Sequence, residues 1–103
     1  MAQVTNMPNI GYGLKRTLTD ISGSVTSGGT AQTIAAASEK RVGLWIQNVS
    51  DTDMWISEIG TAAASQPSIK LVAGAIYEFP AVPNSAISLF CATTGKQFSG
   101  REW

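Results

Sequence analysis

The chain has 103 residues and a mass of 10.8 kDa, enough for one domain that buries roughly 65% of the surface its unfolded form exposes. Seven basic and seven acidic side chains cancel, and charged residues make up only 14% of the chain, which argues against the basic stripe that displaces counterions from nucleic acid. There is no histidine, and Cys91 is the one cysteine, so an intrachain disulfide, a cysteine-based metal framework and a Cys–His or Ser–His nucleophile are all excluded.

Residues 1–29 differ from the remainder. Pro8, Gly11 and Gly13 sit in a polar opening around Tyr12, and Ser22 to Thr30 is a run of Gly, Ser and Thr of the kind that makes flexible connections. Tyr12, Leu14, Leu18 and Ile21 are the apolar anchors of this stretch. It reads as an extended N-terminal arm and linker that orders against a neighbour, with residues 30–103 forming the folded domain. The pairs Lys15-Arg16 and Lys40-Arg41 read as solvated surface charge. No apolar run reaches membrane-spanning length, and the opening lacks the layout of a signal peptide. The expectation is a product made soluble in the cytoplasm, with no membrane partner.

From Gln32 onward the pattern is strand, turn, strand. Gln32 to Ala37 is a strand leading into a turn at Ser38 to Arg41, because Thr33 and Ile34 favour an extended start. Alternation puts Val42, Leu44 and Ile46 on the inner face of the next strand and Trp45 and Gln47 on the outer one. Asn48 to Asp53 is a turn rich in residues that bond to their own backbone, and the strand from Met54 is expected to pair back as a hairpin, with Trp55 facing outward. Ser68 to Val72 points Ile69 and Leu71 inward. Ala73-Gly74 turns the chain into Ala75 to Phe79, and Pro80 and Pro83 interrupt pairing. Ser85 to Ala92 is a buried strand with Ile87, Leu89 and Cys91 on one face and Phe90 on the other. Thr94 to Lys96 leads into a final strand, Gln97 to Trp103, with Phe98 in the core. About seven short strands with turn signals roughly every 8 to 12 residues indicate an all-β, single-domain β-sandwich or barrel, jelly-roll-like, carrying the N-terminal arm.

No catalytic constellation emerges. Asp51 and Asp53 are explained by turn chemistry, and Asp51-x-Asp53 followed by Glu58 is only a faint echo of a calcium loop. Gly28-Gly29 lacks the third glycine and the lysine of a phosphate loop. The expectation is therefore a non-enzyme without cofactor or metal. Trp45, Trp55 and Trp103 remain as interface candidates. They are buried by a neighbouring subunit, by a second intrachain core, or used as a ligand platform.

Several segments together carry a resemblance: Ser27-Gly28-Gly29-Thr30-Ala31-Gln32, Lys40 to Asn48 with its short turn, Ile69 to Phe79, and Ile87 to Phe98. Over residues 27–103 the chain resembles small β-rich virion structural proteins of tailed bacteriophages, in which a strand ending in Gln-Asn, a Leu-x-Pro-Gly turn and an Ala-Thr-Thr-Gly segment recur. Here Ala73 stands where the proline is common. The resemblance implies a non-enzymatic homo-oligomer located in the virion, whose partner is the phage capsid or another virion protein. Capsid decoration (cement) is the leading expectation. A tail or head-fibre component that binds host glycans through exposed tryptophans is the alternative.

Overall fold

The computed structural model describes residues 16–103; Tyr12 and Leu14 lie outside them. Nine strands and no helix are present among the described residues. In chain order they are β1 (Thr19–Asp20), β2 (Gly23–Ser24), β3 (Gln32–Ala35), β4 (Leu44–Asn48), β5 (Met54–Ser57), β6 (Ile69–Leu71), β7 (Ile76–Glu78), β8 (Ile87–Phe90) and β9 (Gln97–Glu102). They form two antiparallel sheets packed as a sandwich. One runs β9–β4–β7, with β1 and β2 end to end along the outer edge of β9, and the other runs β3–β8–β5–β6.

The core lies where the inner faces meet. Leu44 and Ile46 from β4 pack in one cluster with Met54 and Ile56 from β5 and with Ile87 and Leu89 from β8, all six fully buried. Each such side chain contributes about 1.5–3 kcal/mol of burial. Phe98 and Cys91 join them as their alternation predicts. Val42 does not. It is 47% exposed, because β4 begins only at Leu44 and Val42 lies outside it.

Two expectations are corrected. First, β4 and β5 are not a hairpin: β4 pairs with β9 and β7, whereas β5 pairs with β8 and β6. The connection 49–53 carries the chain from one sheet to the other. The cause is Asn48, whose side chain is fully buried and bonded on every side. Its Nδ2 donates to the carbonyls of Thr52 (2.7 Å) and Leu71 (2.8 Å). Its Oδ1 accepts from the Ser50 amide (2.9 Å) and hydroxyl (2.7 Å). These bonds replace the ladder a hairpin would have made. Second, the Gly/Ser/Thr stretch is not simply a linker. Thr19 and Asp20 pair with Glu102 and Arg101, Gly23 and Ser24 pair with Phe98 and Gln97, and Val25 is a core residue. The folded domain thus reaches back past residue 30, and any arm is confined to the residues before β1.

The turn into β7 tolerates Ala73. The Ala75 amide bonds the Val72 carbonyl at 2.9 Å, and Gly74 takes φ +82°, the geometry of a type II turn with glycine at its third position.

Asn48→Ala leaves the Thr52 and Leu71 carbonyls without donors and is expected to cost about 3 kcal/mol, lowering the thermal midpoint by roughly 10 °C or more. Asn48→Asp is expected to be worse at neutral pH, because a buried carboxylate cannot donate to either carbonyl. Burial raises its folded pKa above the unfolded value, so its stability falls as pH rises through that window and recovers in acid. Circular-dichroism melts of both variants across pH check the order and the sign.

Candidate interaction site

Strand alternation and register decide which tryptophans meet. Trp45 faces Arg101 across β4 and β9, and Glu78 across β4 and β7. Beyond the end of β9 the ladder continues: the Trp103 amide bonds the Gly43 carbonyl at 3.1 Å, and the Gly43 amide bonds the Trp103 carbonyl at 3.0 Å. A Cβ on Gly43 would lie 2.1 Å from the Trp103 indole, so the ring rests directly on bare backbone. Trp45 and Trp103 are therefore diagonal neighbours on the outer face of the five-stranded sheet. Trp55 points from β5 to the opposite side of the sandwich, where Phe90 and Lys70 are its cross-strand neighbours. All three indoles are half-buried.

Each β-strand tryptophan carries a cation. The Arg101 guanidinium stands 5.7 Å from the centre of the Trp45 ring, and the Lys70 ammonium 5.6 Å from that of Trp55, both within cation–π range. Arg101 is held there by Asp20 (2.9 Å), by the Gly100 carbonyl (2.8 Å) and by the Ser22 hydroxyl (3.2 Å). Hydrogen bonds from Ser22, and then the charge of Arg101, hold the Asp20 carboxylate below its usual range. Lys70 is shared with Asp53 at 3.4 Å. Lys96, hydrogen-bonded to Asp51 at 2.7 Å, lowers the Asp51 carboxyl, with Thr52 adding to the effect. Both depressed carboxylates add stability above their unfolded pKa and lose it as pH falls through the folded one. The turn reading of Asp51 and Asp53 thus needs these two lysines added.

Of the remaining interface candidates, Leu18 is 55% exposed just before β1. Ile21 packs against the chain's own core, over Gly100, and its amide bonds the Gly100 carbonyl at 3.1 Å. Among the described residues its packing is within the domain.

Arg41 is the residue the sequence concealed. Its side chain is 1% exposed, against the reading of Lys40-Arg41 as solvated charge. The guanidinium donates to Glu102 (2.9 Å) and to the carbonyls of Pro83 (2.7 Å), Ser85 (3.0 Å) and Ala36 (2.6 Å). One side chain thereby ties its own β3–β4 loop to the β7–β8 loop and to the end of β9. Beside it opens a cleft of about 200 Å³ lined by Thr17, Thr19, Lys40 and Trp103 among others. A second groove, about 390 Å³, lies on the other sheet between Ile59 and Ser88. Two of its hydroxyls are already engaged, Ser88 accepting from the Ala62 amide and Ser85 donating to the Glu58 carbonyl. Among the described residues no group of three or more acidic or cysteine side chains is placed to hold a metal.

Arg41→Lys keeps the charge but loses the fork that reaches four acceptors, and is expected to destabilise by about 3 kcal/mol. Gly43→Ala drives the Trp103 ring off the backbone. Tryptophan emission should shift to the red and the melting midpoint should drop, with little further loss when Trp103→Ala is added. Additive losses in that double-mutant cycle would show that the two positions do not interact.

No protein-family model, curated protein or solved structure matches this chain.

Proposed function

We propose that this protein is a non-enzymatic structural component of a phage particle, most plainly a capsid decoration protein, that binds a neighbouring virion protein through the outer face of its five-stranded sheet. The observation that carries the reading is the grouping of Trp45, Trp103 and Arg101 on that face. Tryptophan and arginine are the residues most enriched where binding energy concentrates, and their neighbours serve mainly to exclude water. Arg101 is positioned in advance by Asp20, Ser22 and Gly100, which lowers the entropy lost on docking.

Two further features agree. The chain enters the sheet beside this face, since Thr19 pairs with Glu102, next to Trp103, so the residues before β1 start alongside the tryptophans. An arm there and the aromatic face would meet one neighbour together. The phage assignment itself comes from the resemblance over residues 27–103. A sugar-stacking platform is less well supported: the Trp45 and Trp55 rings each already carry a cation, and the Trp103 ring covers the Gly43 backbone.

The test is rebinding of purified protein to particles stripped of it. Trp45→Ala is expected to lower apparent affinity roughly 30-fold, the effect of truncating an interface hot spot. Trp55→Ala, on the far side, should leave it within about threefold. The reverse pattern would transfer the interface to the other sheet. Tryptophan-dependent binding to host glycans, with particles unaffected, would favour the fibre alternative. Deleting residues 2–15 should weaken decoration without lowering the melting midpoint. Deleting residues 2–26 removes Val25 and both strands at the edge of β9, and should destabilise the domain itself.

A further inference from the structure

Among the described residues the sandwich has four outer edges, and three of them are blunted against further pairing. The edge made by β1 and β2 is interrupted between Asp20 and Gly23. The β3 edge shifts register between Thr33 and Ala35. The β6 edge carries Lys70 at its centre. Breaks, bulges and lysines are the usual devices that keep an edge from recruiting another strand.

The β7 edge is as short as β6 and carries Glu78 at its end, but it has no break, no register shift and no lysine. Its hydrogen bonds to β4 run through alternate residues: the Asn48 amide bonds the Ala75 carbonyl at 2.9 Å, and the Phe79 amide bonds the Leu44 carbonyl at 3.0 Å. With Tyr77 opposite Ile46, the antiparallel pattern directs the amides and carbonyls of Ile76 and Glu78 away from β4. No described strand lies on that side. Ile76 is 59% exposed, and Val72 and Val49, at 51% and 47%, flank the end of the strand where the 72–75 turn meets Asn48.

We infer that this edge pairs with the β7 edge of a second copy, antiparallel and centred on Tyr77, joining two five-stranded sheets into one. The edge is self-complementary. A two-fold axis at Tyr77 sets Ile76 of each copy opposite Glu78 of the other, so that four outward amides and carbonyls on each strand meet their counterparts. The second copy is thus the occupant whose backbone fits in register without adjustment. A three-residue strand with three flanking valine and isoleucine side chains buries well under the ~1,200 Å² of a stable interface. The dimer is therefore weak and reversible, and forms where copies are concentrated. This inference does not depend on the function proposed above.

Sedimentation equilibrium of the full chain should show concentration-dependent dimer. Ile76→Pro removes one outward amide while leaving the β4 ladder intact, and should abolish association; if that variant fails to fold, Ile76→Lys takes its place. Cysteines report the register. Mixed in equal amounts and mildly oxidised, Ile76→Cys and Glu78→Cys should give a disulfide-linked heterodimer, because opposed positions lie about 5.5 Å apart. Either variant alone should cross-link several-fold less; Cys91 is buried and does not compete. Monomer at every concentration, dimer undiminished by the Ile76 variants, or single variants cross-linking as well as the mixture would each overturn the inference.

Discussion

The fold turns on one amide. Asn48 stands where the chain leaves one sheet for the other, and each polar atom of its side chain is spent on backbone or on Ser50. Its backbone is engaged as well, accepting from the Gly74 amide and donating to the Ala75 carbonyl. The residue therefore joins the end of β4, the crossing segment, the end of β6 and the turn into β7. A buried amide left half-bonded is costly, whereas a fully bonded one admits a single arrangement. Once that arrangement is set, Leu44 and Ile46 must face Met54 and Ile56, and the core follows.

Arg41 does similar work at the other end of β4, by charge as well as hydrogen bonds. A buried guanidinium is unfavourable unless its donors are matched. Here a carboxylate and three carbonyls match them. The carbonyls come from loops that form no ladder of their own at those points, so the side chain supplies bonding that irregular backbone lacks. It also draws in Glu102, and with it the last turn of chain that lays Trp103 over Gly43. The aromatic face is thus an outcome of the packing beneath it.

Much of this was legible in the sequence. Alternation identified the inner residues of β4 and β8 and the outward face of Trp55 in β5, and glycine positions marked the turn before β7. What alternation cannot convey is which strands are neighbours. Val49 to Asp53 has the composition of a hairpin turn, and only the tertiary bonds of Asn48 make it a crossing between sheets. Trp45 meeting Arg101, and Trp55 meeting Phe90, depend on strands more than thirty residues apart in sequence. Arg41 was hidden because a basic pair in a turn reads as solvated unless its acceptors, in loops some forty residues away, are known. Ser22 to Thr30 has a linker's composition, yet Val25 finds a place in the core directly after two stretches of edge pairing.

The crossing at Asn48 has a geometric consequence for anything this module touches. Trp45 and Trp55 are only ten positions apart in the chain, but they look in opposite directions from two sheets stacked about 10 Å apart. No flat surface can reach both. A particle that uses both faces must therefore offer them to two different bodies, with the domain acting as a rigid spacer between them. In that setting a change that loosened the crossing would alter the gap between those bodies before it altered either contact.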